Sequence, residues 1–536
     1  MEQKCLQCHV QFVILPEDLA FLETISPVFH GEKALLPVPR YCPSCRQQHR
    51  MAYRNERELY KRDCDRCKKT ILSVYSKDKP FTVYCRDCWW ADDWDGTDFG
   101  QEFDFSRPFF EQFYELLKKV PQLGIINALD QNSDYTNYGY QNKDCYLVFT
   151  SDFNEKCSYG SFVWSSFDCY DNLFLIESQL CYECTDCVKC YASAYCLESE
   201  GLTDCFGCFD CRNCESCFGC SGLRNKKYYF FNEPFSEEEY KKKVADAKRN
   251  WNQTLKRFQE VSKKTPRRNL FLVQCENVLG DHVKNSKNCS YCFDSQELED
   301  CKYVTNIPAK SEHTQEVDGG GWLAWSYQCI STKGNHHLFS DHHWLDGFNL
   351  IYCSYSMGSS NCFGCAGVKK GEYCILNKKY PKEEYERLAA RVAQHMKKTG
   401  EWGDSFLPQY SRFAYKETVA QQYYPLSKEE ALKLGYQWHD EPREAEDKNL
   451  DNVVICEVTG KPFRLTRQEL EFYKKLDLPL PAKHPEVRMK DRDALRNGRK
   501  LWDRNCDHCG KTMKTTYTPD FTGKVYCESC YLATVY

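Results

Sequence analysis

Several features that would place this chain in a familiar class are absent from its sequence. No apolar run approaches the roughly 18 residues that a membrane-spanning helix needs. The N-terminal MEQKCLQCHVQFVILPEDLAF has no signal-peptide shape, because its short apolar run meets Pro16, Glu17 and Asp18. Neither sign of charge is in large excess, since the sequence contains 72 Lys and Arg and 77 Asp and Glu. We therefore expect a cytoplasmic protein without membrane contact, in which any nucleic-acid surface is a local patch.

The motifs of the common enzyme classes are also missing. We find no phosphate loop, nucleophile elbow or dinucleotide-binding motif. GNHHLFSDHHWLD, residues 334–346, is the one catalytic-looking stretch. Its candidate residues for a metal or acid–base site are His336, His337, Asp341, His342 and His343. Adjacent residues on a strand point to opposite faces of the sheet. At most one histidine of the pair His336 and His337 can therefore share a face with one of the pair His342 and His343. We expect a non-enzymatic protein, with a metalloenzyme using this cluster as the alternative.

What the sequence does contain is cysteine, with 36 in 536 residues. In a reducing compartment, C-x2-C pairs indicate metal ligands before disulfides. Two such pairs supply four thiolates, the set that a tetrahedral structural zinc requires. Three sets are complete, so the sequence predicts three structural zinc ions. Their members are Cys5, Cys8, Cys42 and Cys45, then Cys64, Cys67, Cys85 and Cys88, and finally Cys506, Cys509, Cys527 and Cys530.

The C-terminal set lies in a copy of the N-terminal module. Residues 45–67, CRQQHRMAYRNERELYKRDCDRC, align without a gap with residues 487–509, VRMKDRDALRNGRKLWDRNCDHC. The first N-terminal set has no full counterpart in the copy. Cys456 keeps one ligand position, whereas Thr459, His484 and Val487 stand at the other three. The copy therefore predicts three zinc ions for the chain rather than four.

The start of the chain resembles a known type of module. CLQCHVQFVILPEDLAF…PVPRYCPSCR resembles a small bacterial zinc-binding domain described as a probable zinc ribbon, over about the first 50 residues. The larger arrangement resembles uncharacterised multi-CxxC zinc-ribbon proteins of candidate-phylum bacteria. Both resemblances imply bound zinc, and neither implies a chemical activity.

The middle of the chain repeats with a period of twelve residues. Cys145, Cys157, Cys169 and Cys181 are each twelve apart, and every third position over 142–223 is small, apolar or a short amide or hydroxyl. A fixed short period is typical of a solenoid, in which stacked repeats build one continuous core. We therefore expect a narrow β-solenoid with these cysteines in one inward column. The geometry resembles the twelve-residue β-helix of some insect antifreeze proteins, whose Thr-x-Thr ladder is absent here.

A weaker series with the same period runs from Cys289 to Cys365. The predicted fold class is mainly β with α: a narrow β-solenoid of twelve residues per coil in two halves, flanked by duplicated zinc-knuckle modules and connecting helices. The predicted segments are an N-terminal double zinc module (1–98), a linker and docking helix (99–130), the first β-solenoid (131–232), a helix (233–266), the second β-solenoid (267–378), a helical connector (379–450) and a C-terminal zinc module (451–536).

Three alternatives stay open for the cysteines inside the repeat. Free cysteine packs as a small hydrophobe, so these side chains can simply fill a narrow core. Positions six apart, such as Cys205 and Cys211, would face each other and form disulfides in an oxidising compartment. Bound metal is the third alternative, although CYECTDCVKC lacks the C-x3-C-P ending of the iron–sulfur run that it superficially resembles.

Basic residues concentrate beside the zinc modules. Residues 40–69 hold ten Lys or Arg and four acids, a local net charge of +6. Two rows of arginines recur every four residues, which puts each row on one helical face. The rows are Arg46, Arg50 and Arg54, and Arg488, Arg492 and Arg496. Such rows suit phosphate backbones through bidentate hydrogen bonds. The alternative is a solvated helix whose arginines pair with nearby acids.

The sequence therefore favours a non-enzymatic zinc-binding protein that binds nucleic acid, RNA rather than DNA, through these six arginines. The alternative function is a structural or protein-interaction scaffold built on the β-solenoid. In that case an outward row of aromatic residues would form the contact face for partner proteins. The row consists of Tyr146, Tyr170, Tyr182, Phe206 and Phe218.

Overall fold

The computed structural model of the chain describes residues 1–440 and 453–535. The chain divides into two compact units, each made of two separate stretches. Unit 1 comprises Met1–Ile125 and Phe271–Asp440, and unit 2 comprises Ile126–Leu270 and Glu441–Tyr536. The predicted boundary at 450/451 lies outside the described residues. The structure is mixed, with more strand than helix and with long parallel sheets.

Unit 1 contains the N-terminal module and the second repeat region. Its strands are Glu2–Lys4, Gln11–Val13, Val28–Phe29, Glu32–Lys33, Tyr60–Asp63, Thr70–Ser73, Val83–Tyr84, Gln122–Leu123, Leu272–Val273, Glu276–Lys284, Lys287–Gln296, Leu298–Glu299, Ser311–Glu312, Gln315–Ala324, Tyr327–Leu338, Asp341–Ile351, Ser360–Phe363, Glu372–Ile375 and Lys378–Lys379. Its α-helices are Pro16–Ile25, Pro43–Met51, Arg86–Trp90, Phe109–Lys119, Lys382–Thr399, Val419–Tyr423 and Lys428–Lys433, and its 3₁₀ turns are Gly96–Phe99, Pro408–Tyr410 and Tyr415–Glu417.

Unit 2 contains the first repeat region and the C-terminal module. Its strands are Asn127–Ala128, Thr136–Tyr140, Val148–Asp152, Ser161–Trp164, Leu173–Ile176, Thr185–Val188, Glu215–Phe218, Lys227–Phe230, Glu233–Pro234, Arg267–Arg268, Val453–Ile455, Pro462–Arg464, Trp502–Asn505, Thr512–Thr515 and Val525–Tyr526. Its helices are Glu237–Arg249, Trp251–Lys264, Arg467–Lys475, Pro485–Asp493 and Glu528–Val535.

Strand pairing in unit 2 follows the predicted spacing of twelve. Strand Ser161–Trp164 lies parallel to strand Leu173–Ile176, and Ser161 pairs with Leu173. Parallel bridges with the same spacing continue along the region, from Gln131 with Lys143 to Arg212 with Arg224. The chain therefore returns beside itself every twelve residues in this unit.

A turn at every third residue produces this short period. From 138 to 231, every third residue has a positive φ, and up to Gly222 each one directly precedes an inward position. An L-residue pays about 1–2 kcal/mol in this left-handed region. Aspartate and asparagine tolerate it and glycine avoids the cost, which accounts for residues such as Asp168, Asn213 and Gly207 there. Hydrogen bonds to the neighbouring turn offset the cost; the backbone N–H of Tyr182, for example, donates to Ser193 O at 3.1 Å.

The inward positions of unit 2 form one continuous core. Fourteen buried cysteines pack there with aliphatic side chains such as Val163 and Leu175. Where the inward residue is polar, it pairs with its equivalent twelve positions later. Asn154 Nδ2 donates to Asn142 Oδ1 at 3.0 Å. Small or self-pairing side chains therefore fill the narrow interior.

Unit 1 repeats the same pattern with interruptions. Its large sheet has eleven strands, and Cys362 pairs with Cys374 in parallel, again twelve residues apart. The register shifts at three places, one of them between Gly320 and Leu323. This shift falls between Cys301 and Cys329, whose separation of 28 residues exceeds two periods of twelve by four. The helix Lys382–Thr399 follows this sheet and ends at Gly400, which adopts the left-handed conformation of a C-cap.

Within 1–440 and 453–535, no helix combines the length and the apolar character that crossing a bilayer requires.

Candidate metal centres and arginine helices

Each tetracysteine set is built from one tight turn and one helix start. In the turn, the backbone N–H of the first cysteine donates to the carbonyl five residues later, as Cys64 does to Lys69 O at 2.9 Å. The residue after the second cysteine has a positive φ, 61° at Lys68 and 75° at Gly510. The third cysteine then caps a helix, as Cys85 does for Arg86–Trp90. This geometry brings four sulfur atoms to one point.

The sulfur spacing fits a tetrahedral metal ion. All four Sγ atoms of each set lie within 4.8 Å of one another. The Sγ atoms of Cys8 and Cys42 are 3.7 Å apart, and those of Cys67 and Cys85 are 3.8 Å apart. Tetrahedral bonds of ~2.3 Å separate neighbouring sulfurs by roughly 3.8 Å. The three predicted sets are therefore arranged to hold metal ions.

A backbone N–H group donates to the first sulfur of each set. The backbone N–H of Cys42 donates to Cys5 Sγ at 3.3 Å, and the corresponding bond from Cys527 to Cys506 Sγ measures 3.2 Å. The side chain of Ser529 and the backbone N–H of Cys530 lower the pKa of Cys527 to about 6. A deprotonated sulfur is the form that binds metal, so these hydrogen bonds agree with the sulfur geometry.

The degenerate set keeps its turn although three of its four cysteines are replaced. Cys456 N–H donates to Lys461 O at 2.9 Å, as in the complete turns, and Gly460 takes the positive φ. Cys456 and Phe463 belong to an apolar cluster, and Val487, which stands where the complete set has its fourth cysteine, packs against it. His484 caps the following helix by accepting from Glu486 N at 3.2 Å. The turn and the helix start therefore form here without four thiolates.

The first arginine helix, Pro43–Met51, lies against the repeat strands of unit 1. Arg46 Nε donates to Glu316 Oε2 at 2.7 Å, and Arg50 Nε donates to Asp318 Oδ2 at 2.7 Å. Arg50 also reaches Glu316 at 3.1 Å. The two arginine side chains are 8 % and 1 % exposed, and both carboxylates are buried. Two arginines and two acids thus form a closed charge cluster inside unit 1.

The second arginine helix, Pro485–Asp493, repeats the arrangement in unit 2. Arg488 and Arg492 both contact the fully buried carboxylate of Asp171. Arg492 also pairs with Glu183 at 3.2 Å, twelve residues beyond Asp171 in the repeat. Arg496 donates from Nε to Asp186 at 2.8 Å. The repeat therefore presents a row of acids that matches the row of arginines.

The structure pairs each arginine predicted to bind nucleic acid with carboxylates of the protein itself; these residues are Arg46, Arg50, Arg54, Arg488, Arg492 and Arg496. A guanidinium enclosed with the protein's own carboxylates cannot offer its donors to a phosphate. The rows are also not continuous helical faces, because the helices end at Met51 and Asp493, before the third arginine of each row. Arg54 instead pairs with Glu56 at 2.7 Å and is buried.

The predicted aromatic contact face is covered within unit 2. Tyr170, Tyr182, Phe206 and Phe218 are at most 6 % exposed. They belong to one cluster with residues of the neighbouring helices, and the ring of Tyr170 lies 4.2 Å from that of Phe472. The row is thus part of the interior, which is the usual place for a large apolar surface.

The histidine stretch is divided among separate environments. Asp341 lies beside His342 and pairs with Arg412 at 2.5 Å. His343 is fixed by the backbone, since Ser356 N donates to Nδ1 at 3.0 Å and Nε2 lies 3.1 Å from Cys353 O. Burial lowers the pKa of His343 to about 4. His337 is buried beside it, whereas His336 is exposed next to Phe348. Among the described residues, the groups that could hold a metal are the three tetracysteine sets.

The cysteines inside the repeat are free thiols in this structure. Most donate to a backbone carbonyl two residues earlier, as Cys181 does to Gln179 O at 3.5 Å. Burial raises the pKa of Cys181 well above its ordinary value. These side chains are buried and packed together, which agrees with the first of the three alternatives.

Sequence reasoning did not identify the acids that form ion pairs with the arginines. Asp171 and Glu183 are twelve residues apart, and Glu316 and Asp318 stand in the second series. Acids that recur at the repeat period are a detectable signal. They place like charges on neighbouring turns, which is unfavourable unless a cation lies between them.

Neither a scan of known protein families nor a search of curated proteins finds a match to this chain.

Proposed function

We propose that this chain is a non-enzymatic structural scaffold made of two β-solenoids, each with twelve residues per coil and each fastened along its side by a zinc module. The observation that carries the proposal is the use of both arginine helices. Their guanidinium groups form ion pairs with carboxylates of the repeat in the same unit. The modules therefore serve the fold of the repeat rather than an external phosphate.

The parallel register supports the solenoid. Bridges spaced by twelve occur on several sides of the repeat, for example at Tyr146, at Phe167 and at Arg212. Stacked turns of this kind leave exposed edges unless other elements cover them. The zinc modules and helices packed on each repeat provide such cover within their own units.

Zinc is the metal that suits four cysteine thiolates in a structural site. In unit 1, Cys42 and Cys45 lie at the start of the first arginine helix, so an ion at the first set would fix the position of Arg46 and Arg50. In unit 2, the apolar cluster around Cys456 fixes the second arginine helix instead. The two helices are therefore expected to respond differently when metal is removed.

Hydrogen exchange before and after chelation tests this proposal. The purified chain should contain three zinc ions by elemental analysis. After chelation, amide exchange should rise strongly in Pro43–Met51 and in the strand Gln315–Ala324 that it contacts. Exchange in Pro485–Asp493 should rise much less, because metal-free packing holds that helix. The second helix is thus an internal control within the same molecule.

Two results would overturn the scaffold proposal. Loss of all three metals without any change of exchange in unit 1 would show that metal does not support the fold. Salt-sensitive binding of mixed RNA or DNA by the zinc-loaded chain, abolished in the variant R46E/R50E/R54E with its zinc content unchanged, would restore the nucleic-acid function.

A further inference from the structure

One part of the unit 2 interior is far richer in sulfur than the rest. Between residues 181 and 220, eleven inward positions carry cysteine, and we call these residues the thiol core. They are Cys181, Cys184, Cys187, Cys190, Cys196, Cys205, Cys208, Cys211, Cys214, Cys217 and Cys220. All are free, and none is more than 2 % exposed.

Packing alone does not require this choice of residue. The corresponding interior of unit 1 also holds buried branched aliphatic side chains, such as Val283, Val304 and Val317. Leu350 and Val368 pack beside cysteines there and are fully buried. A narrow core can therefore be built with fewer thiols than the thiol core holds, so packing alone does not explain its sulfur content.

The thiols of this core are stacked along the repeat. Cys184, Cys196, Cys208 and Cys220 are spaced by twelve residues and belong to one buried cluster. The residues that follow three of them are bridged at the same spacing, Thr185 with Leu197 and Leu197 with Phe209. Four sulfurs thus form one unbroken column, which we call the central column: Cys184, Cys196, Cys208 and Cys220.

The spacing of the central column suits an ion with two ligands. Neighbouring strands lie ~4.8 Å apart, and an ion midway between two sulfurs at bonds of ~2.3 Å needs them roughly 4.6 Å apart. A tetrahedral ion is a poor fit, because among the described residues the groups of three or more ligand atoms that all lie within 4.8 Å of one another are the tetracysteine sets. The arrangement therefore selects a soft ion of low coordination number.

We propose that the thiol core binds Cu(I), with copper ions placed between successive sulfurs of the central column. Soft thiolate ligands select Cu(I) over harder ions. Each Cu⁺ forms two Cu–S bonds and displaces one thiol proton, which leaves to solvent, and no electron is transferred. Four sulfurs enclose three gaps, so three Cu⁺ replace three protons while the fourth thiol keeps its own. The filled column is neutral, which avoids the cost of burying charge.

Little hydrogen bonding opposes this exchange. The Sγ atom of Cys208 lies 3.7 Å from Phe206 O and 3.6 Å from Cys217 O, both long contacts. A thiol is a weak donor, so loss of its proton forfeits little. The inference rests on the stacked turns of the proposed scaffold, since the central column exists only if the repeat keeps its register of twelve.

The test is copper retention by the full-length, zinc-loaded chain. The protein is refolded without oxygen in Cu(I) buffered by a bathocuproine ligand, desalted, and analysed for copper and zinc together. We expect three zinc ions to remain and copper to be retained in addition. X-ray absorption at the copper edge should show two sulfur neighbours per copper. The variant C196S/C208S, which interrupts the central column, should lose the copper held in its three gaps.

Serine suits this variant because Ser193 and Ser199 already occupy inward positions in the same turns. The matched control is C329A, which removes a fully buried cysteine of unit 1 and should leave copper retention unchanged. Copper that displaces zinc ion for ion, or equal copper in C196S/C208S and the unmodified chain, would overturn the proposal. If copper is not retained while the zinc content and the exchange pattern of both arginine helices are as described above, the copper site fails and the scaffold stands.

Discussion

The sharpest consequence of the structure concerns the carboxylate of Asp171. This side chain is fully buried and serves two guanidinium groups, those of Arg488 and Arg492. Replacing it by asparagine keeps its size and removes its charge. Asn also tolerates the positive φ of 55° at this position, so the backbone conformation is preserved. The variant D171N therefore isolates the electrostatic contribution.

The expected cost is large. Removing one member of a buried ion cluster leaves an uncompensated charge and costs about 3–5 kcal/mol. Glu183 remains 3.2 Å from Arg492 and compensates in part, so we expect the lower end of that range. A typical domain is stable by only 5–15 kcal/mol. D171N should thus remove a substantial part of the stability of unit 2 without touching a metal ligand.

Urea unfolding of the full chain, followed by amide exchange in unit 2, measures the effect. The control is E155Q, which breaks the pair between Glu155 and Lys143 on the same repeat. That pair is 3.2 Å long, but its side chains are 37 % and 52 % exposed. Pairs of this kind contribute at most about 1 kcal/mol. D171N should therefore lower the unfolding midpoint of unit 2 several times more than E155Q does.

Equal effects of D171N and E155Q would refute the reasoning. They would mean that Arg488 and Arg492 are not enclosed with Asp171 in solution. The arginine helix would then be available to other ligands. A second observation should agree with the first: zinc content must stay at three ions in D171N, because Asp171 contacts no cysteine set.

Three further predictions follow from the same contacts. C64S should lose one zinc ion by elemental analysis and unfold its own module while the C-terminal site stays filled, because structural zinc supplies folding energy directly; retention of all three ions would contradict it. G219A should lower the melting temperature far more than G400A does. Both glycines have a positive φ, but a Cβ atom at Gly219 would lie 2.4 Å from the ring of Phe231, whereas a Cβ atom at Gly400 would have no neighbour within 4 Å. Equal shifts of the melting temperature would show that Phe231 moves freely. Burial lowers the pKa of His343 to about 4, below its ordinary value of ~6.5, so as the pH falls the unfolded chain binds the proton first. The contribution of His343 to stability is complete above pH ~6.5 and falls by roughly 3 kcal/mol as the pH drops to about 4. H343Q should therefore flatten the pH dependence of urea unfolding over this range, and an unchanged slope would contradict the assignment.

Local signals of the sequence predicted local structure well. The spacing of Cys145, Cys157 and Cys169 predicts the register of twelve, and strand pairing follows it. Ser236 and Glu239 form a capping box, S-x-x-E in the sequence, at the start of the helix Glu237–Arg249. The tetracysteine sets were found from C-x2-C spacing alone. In each case the interacting groups lie close in sequence or recur at a fixed period, so composition and spacing are sufficient.

The sequence could not show which surfaces meet across long separations. Arg50 and Asp318 are 268 residues apart, and Arg488 and Asp171 are 317 apart. A basic row and an acidic row look like two solvent-facing patches until the fold brings them together. For the same reason the aromatic row at Tyr170 resembles an exposed contact face in the sequence, because Phe472, which covers it, comes from a distant stretch of chain. Pattern alone does not distinguish an internal surface from an external one.

The two arginine helices differ in the cysteine set at their start. The first follows a complete cysteine set, and the second follows a set in which Cys456 alone keeps its place. Both helices nevertheless insert arginines into an acidic pair of their own repeat. The feature common to the two units is therefore the arginine–carboxylate cluster, whereas a complete cysteine set stands only at the start of the first helix. The second helix makes its arginine contacts with Val487 packed against the apolar cluster of Cys456 and Phe463, so four thiolates are not required for those contacts.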